Sequence, residues 1–94
     1  MNKYESVIII NPSLEDEAIK NTVKSFEDLI NKEGKVLETN EVGRKKLAYE
    51  IKKNSEGYYV VLNFEANPNL VAELERVYRI TDEVIKFIVV RDND

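Results

Sequence analysis

The chain contains no cysteine and no histidine. Without cysteine there is no disulfide framework, no thiolate nucleophile and no cysteine zinc site. Without histidine the commonest general acid–base and metal ligand is missing, and with it every Ser-His or Cys-His nucleophile arrangement. Catalysis would then need paired carboxylates or a tuned lysine in a pocket, and a domain of 94 residues has little room for one. The three glycines, Gly34, Gly43 and Gly57, stand apart, so there is no glycine-rich phosphate loop. No apolar run approaches the roughly 20 residues of a membrane span. The opening Met1-Asn2-Lys3-Tyr4-Glu5 has no signal-peptide pattern. These absences lead us to expect a soluble, cytoplasmic, non-enzymatic protein with no cofactor, no small-molecule substrate and no membrane partner.

What is present is an uneven distribution of charge. The formal net charge is −4, yet Gly43 to Lys53 holds five basic residues (Arg44, Lys45, Lys46, Lys52, Lys53) against Glu50 alone. That stretch carries +4, which leaves −8 for the rest of the chain. Between Leu14 and Glu33 six acids face three lysines. Such a split predicts a cationic face for a polyanion on an otherwise self-repelling body. Leu47-Ala48-Tyr49 follows the cations, and aromatic residues beside basic ones suit single-stranded or looped RNA. The plainer alternative is a solvated strand with basic outward residues.

The chain reads as one domain, residues 1–94, large enough for a single core. Lys3 to Ile10 is expected to be a strand, and its run Val7-Ile8-Ile9-Ile10 places it in the middle of a sheet. Asn11-Pro12 breaks it, and Ser13 is expected to cap a helix with an acidic first turn. Leu14, Ala18, Ile19, Val23, Phe26, Leu29 and Ile30 give that helix one apolar face, and Gly34 ends it as a C′ residue. Lys35 to Lys53 is strand-like, with a bulge at Gly43. Asn54-Ser55-Glu56-Gly57 is expected to turn into a strand at Tyr58 to Glu65, forming an antiparallel hairpin. Asn67-Pro68 starts a second amphipathic helix through about Arg79. A last strand runs from Val84 to Arg91, and a short disordered tail is expected from about Asp92.

The order β-α-β-β-α-β predicts an α+β, ferredoxin-like domain: a four-stranded antiparallel sheet with two helices on one face. The opposite face has no helix. Apolar residues nevertheless occupy both parities of the first, third and last strands, which predicts an apolar open face fit for another chain or for bases. The alternative is that side chains of the long hairpin curl over it. Glu15, Asp16, Glu17, Asp82 and Glu83 read as helix-end and turn charges rather than as acid–base pairs. Phe26, Phe64, Tyr78 and Phe87 sit at core-like spacing. Tyr4 and Tyr49 lie beside cations near strand ends. A reader with aromatic motifs on both central strands is disfavoured, because Ser6 to Ile10 supplies no aromatic residue.

Gly43-Arg44-Lys45-Lys46-Leu47-Ala48-Tyr49-Glu50-Ile51, the turn to Gly57-Tyr58-Tyr59, and Arg79 through Arg91 together resemble the bacterial ribosomal small-subunit protein S-six family. So does Tyr4-Glu5 through Ile10-Asn11-Pro12. Two departures stand out: Glu50 occupies a position where the family often has proline, and many members carry a longer tail than one ending at Asp94. The resemblance implies a structural constituent of the small ribosomal subunit. It implies binding to the central domain of small-subunit ribosomal RNA together with ribosomal protein S-eighteen. On that reading Arg44, Lys45 and Lys46 divide by strand parity between RNA phosphates and the partner protein. Lys3, Tyr4, Lys86 and Arg91, near the ends of two central strands, complete the RNA-facing edge, with Tyr49 beside them. The rival readings on this fold are a ligand-sensing or regulatory domain and a small enzyme.

Overall fold

The computed structural model describes residues 1–92. Its elements are β1 (Asn2–Ile10), α1 (Asp16–Glu33), β2 (Lys35–Ile51), β3 (Asn54–Ala66), α2 (Pro68–Ile80) and β4 (Val84–Arg91). The strands form one antiparallel sheet in the order β2-β3-β1-β4. This is the expected ferredoxin-like arrangement, with both helices on one face. β1 is central, as its unbroken β-branched run predicts, but β4 is an edge strand. The two central strands are β1 and β3.

One parity of the sheet meets the helices. Ile8, Ile10, Val60, Leu62 and Phe64 pack against Ile19, Val23, Phe26 and Ile30 of α1 and Leu70, Leu74 and Tyr78 of α2. Phe26 meets Tyr78 edge-on, with ring centroids 4.8 Å apart, a geometry that suits the positive edge and negative face of aromatic rings. Among the described residues Ser6 is the one buried polar residue, and its hydroxyl and that of Tyr78 hydrogen-bond at 2.9 Å. Burial pushes the Tyr78 phenol well above its ordinary range, partly offset by that bond.

Four local expectations are corrected. Ser13 does not cap α1: its N–H and hydroxyl both donate to Asn11 Oδ1, making an Asx turn, and the helix starts at Asp16 behind Glu15. Gly34 does end α1 as expected, but with an extended backbone rather than the left-handed one usual at C′. It is small because a Cβ there would lie 2.3 Å from the Glu65 carbonyl oxygen. The hairpin turn is Lys52-Lys53, both at positive φ (48° and 66°), so Asn54 to Gly57 already belongs to β3. That pair matches the twist of the flanking strands, and the Asn54 amide donates to the Lys52 carbonyl at 3.2 Å. Finally, of the expected tail, Asp92 is still tied to the sheet, its N–H donating to the Lys3 carbonyl at 2.9 Å. Asn93 and Asp94 lie outside the described residues.

Candidate interaction surface

The basic run begins at a β-bulge. Glu41 pairs with Val60 and Gly43 with Tyr59, so Val42 is an extra residue, and Gly43 takes the φ of +100° that glycine tolerates best. The register thereafter decides where each cation points. Arg44 lies opposite Tyr58, on the helix-covered side. Its guanidinium donates to the Pro12 carbonyl at 3.2 Å and the Leu14 carbonyl at 3.4 Å, and pairs with Asp16 at 3.5 Å. It also sits 5.6 Å from the centre of the Tyr58 ring. Tyr58 in turn donates to Glu41, and burial first, then the Glu41 charge, raise its pKa. Arg44 therefore fastens the β1–α1 loop to the sheet. Lys45 lies opposite Gly57, on the open side, and Lys46 opposite Glu56 on the other. Both lysines are exposed.

Beyond Lys46 the ladder breaks again. Lys46 pairs with Glu56 and Ile51 with Asn54, so residues 47–50 bulge against the single residue Ser55. Leu47, two residues on from Lys45, points to the same open face, where it is buried with Ile9 and Ile85 and flanked by Ile51 and Tyr59. Gly57 makes this close packing workable, since a Cβ there would sit 2.2 Å from Ile9 Cγ2 and 3.4 Å from Leu47 Cδ2. The hairpin thus does curl over the open face, but only over one end. Between its underside and the sheet runs an apolar groove of about 220 Å³, lined among others by Val7, Ile9, Tyr59 and Ile88. Past it the face stays open: Ile88 is 52% exposed and Val90 48%.

Tyr49 and Lys86 close the rim of the groove. The Lys86 ammonium donates to the Tyr49 hydroxyl at 3.3 Å and lies 5.6 Å from the centre of its ring. A ring fixes a cation without cancelling its charge, which leaves that charge available to an outside anion.

The remaining three expected site residues stand at the far end of the sheet. Lys3 lies opposite Glu65 on the open side. Tyr4 lies on the covered side, stacked on Phe64 at 5.6 Å between ring centroids and packed against the main core. Arg91 pairs with Tyr4 across the strands, and its guanidinium donates to Asn2 Oδ1 at 2.9 Å. Six residues of β1 separate the level of Lys3 from that of Ile9, opposite Lys86, or roughly 20 Å at about 3.3 Å per residue. The expected site residues thus form two groups, Arg44, Lys45, Lys46, Tyr49 and Lys86 at one end and Lys3, Tyr4 and Arg91 at the other.

The sequence reading passed over Leu47 as a packing residue and Arg79 as a surface cation. Leu47 shares the open side with Lys45 by plain alternation, but the bulge at Gly43 sets that parity, which the sequence leaves open. Among the described residues no cluster of three or more Asp or Glu side chains could hold a metal ion, and no buried side-chain polar atom lacks a partner.

A split β-α-β domain whose second sheet face is apolar, partly roofed by a basic hairpin and left without a helix belongs to the class of small α+β interaction domains. Comparison with known proteins narrows this. The family model described as Ribosomal protein S6 matches residues 3–91. The small ribosomal subunit protein bS6 of Clostridium novyi is 55% identical over 91 residues, covering 96% of each chain. That of Helicobacter pylori is 45% identical over 92 residues, covering 97% of this chain and 65% of the relative. The crystal structure of 30S ribosomal protein S6 from Thermotoga maritima superposes with a TM-score of 0.92 at 36% identity, covering 97% of this chain and 87% of that one. The chain belongs to the ribosomal protein S6 family. An Arabidopsis thaliana protein with a TM-score of 0.58 at 16% identity shares the fold alone.

Proposed function

We propose that this protein is a non-catalytic structural part of the small subunit in the bacterial cytoplasm, binding the central domain of its ribosomal RNA together with ribosomal protein S-eighteen. The open sheet face supports this reading best. Ile88 and Val90 of the edge strand β4 are half exposed there, beside half-buried Val7 and Val61 of the two central strands, on the face that no helix covers. A partner protein laid on that face would bury them, gaining roughly 25 cal/mol for each Å² of apolar surface removed from water. Lys45 and Lys86 at one end and Lys3 at the other would then flank the docked partner on the open side, and, with Lys46 and Arg91 beside them on the opposite parity, would meet RNA phosphates. Phosphate contacts position the RNA, and its shape and the partner supply the selectivity. Arg44 serves this surface indirectly, by holding the loop beneath it.

The test is binding of a central-domain RNA fragment, with and without the partner, across a salt series from about 50 to 200 mM. The expected result is weak binding alone and tight, steeply salt-dependent binding with the partner. Lys45→Gln should reduce the salt slope by about one. Absence of any salt-dependent RNA binding with the partner present would overturn the reading.

A further inference from the structure

Three cations from three separate elements converge on one hollow at the outer edge of the sheet. It has a volume of about 280 Å³ and is lined by Lys52 at the hairpin tip, Arg79 in the last turn of α2, and Lys86 with its neighbours Val84, Ile85 and Phe87 on β4. Lining residues come from both parities of β4: Val84 and Phe87 pack toward the helices, whereas Ile85 and Lys86 belong to the open side. The hollow therefore straddles the strand edge itself. β4 pairs only with β1, so outward N–H groups of an edge strand are available there as further donors. Among the described residues no carboxylate lines the hollow.

The way these cations are held distinguishes them from others on the surface. Arg44 and Arg76 are paired with Asp16 and Glu73. Arg79 instead lies 5.6 Å from the centre of the Phe87 ring, and Lys86 the same distance from that of Tyr49. Lys52 has its backbone set by a two-residue turn at positive φ, which fixes where its side chain starts. The charged groups of Arg79 and Lys86 are positioned by aromatic faces, which do not neutralise them, and Lys52 reaches in from a turn of set backbone. Fixed, unneutralised cations around a concave site lower the ordering cost of binding an anion. A tetrahedral, multiply charged oxyanion uses three donors converging from different directions better than a carboxylate does.

We infer that this hollow is a phosphate-binding site, distinct from the basic run of β2, which takes either a phosphodiester of RNA or a free phosphate. Naming RNA as one source rests on the function proposed above, but the site's chemistry does not. Amide resonances of the isolated protein are followed at low ionic strength during titration with inorganic phosphate and, separately, with a short single-stranded oligoribonucleotide. Both ligands should give saturable shifts confined to Lys52 and residues 79–87, with the oligonucleotide at least tenfold tighter. Shifts from phosphate alone would assign the site to the free anion. Arg79→Gln and Lys52→Gln, both exposed positions, should abolish those shifts and leave the thermal midpoint in place, while Arg79→Lys should retain most of the effect. Shifts spread equally over the lysines of α1, or unchanged in the Gln variants, would overturn the site. A Gln variant that leaves the salt slope of the RNA–partner complex untouched, where Lys45→Gln reduces it, would remove RNA as the source while the RNA-binding function stands.

Discussion

The two faces of the sheet are built from the same strands by opposite rules. On the helix-covered face every demand is met within the chain. Ile8, Ile10, Val60, Leu62 and Phe64 are sealed by two helices, and the buried Ser6 has Tyr78 as its partner. Arg44, which points that way, ends on backbone carbonyls and a carboxylate. On the open face the demands are left partly unmet. Leu47 and Ile51 roof one end, Ile88 and Val90 stay half in water, and Lys86 is held by a ring rather than an acid. The first face supplies stability. The second leaves apolar surface and charge in water, which the proposed partner and RNA would cover.

If that division is right, substitutions on the two faces should separate stability from binding. The largest effect is expected at Phe26, which is 1% exposed and touches Tyr78. Phe26→Ala removes a buried ring and leaves a cavity, costing about 3–5 kcal/mol of unfolding free energy. Urea denaturation checks this. A loss below about 1 kcal/mol would mean that the covered face is not the main store of stability.

A smaller effect, with a distinctive pH dependence, is expected at Tyr78. Tyr78→Phe leaves the buried Ser6 hydroxyl without its partner, at a cost of about 1–3 kcal/mol near neutral pH. In the native chain the phenol pKa lies above its unfolded value because burial disfavours the phenolate. The neutral phenol's contribution is therefore complete below the unfolded pKa of about 10. As pH rises above that value, the unfolded state loses the proton that the native state keeps. Stability then falls by about 1.4 kcal/mol per pH unit until the native pKa is reached. The gap between native chain and variant should shrink as pH is raised from about 9 to 11. A constant gap would show that the phenol ionises equally well in the folded chain.

Much of this arrangement was legible in the sequence, and the exceptions have physical causes. The element order followed from periodicity: four β-branched residues in a row at Val7 to Ile10 favour a central strand, and α1 repeats its apolar residues at helical spacing. The bulge at Gly43 was legible because glycine inside a strand is costly without a reason. The turn at Lys52-Lys53 was not, because lysine is rarely left-handed and Asn54 to Gly57 held the better turn residues. The destination of Arg44 was hidden for a different reason. Two of its acceptors are main-chain carbonyls, at Pro12 and Leu14, and any residue carries one. Its role depends on a loop some 30 residues away in the chain, where the Asx turn at Asn11 replaces the expected Ser13 cap. The basic run was visible, but its division among scaffold, groove rim and solvent needed the register.

The smallest effect on stability, and the sharpest test of the comparison, is expected at Ile88. Its side chain is half exposed at the end of the groove on an edge strand. Ile88→Ser removes apolar surface that the folded chain has only partly withdrawn from water, so unfolding free energy should change by about 0.5 kcal/mol or less. The same substitution should weaken binding of the partner protein severalfold or more, because a residue half exposed in the free chain has that surface left to bury on association. Isothermal titration with the partner, beside urea unfolding of the variant, gives both numbers on one sample. A large loss of stability would place Ile88 with the core, and unchanged binding would place the partner elsewhere. Only the combination of near-native stability and weakened binding fits a face whose apolar residues are kept for another molecule rather than for the fold.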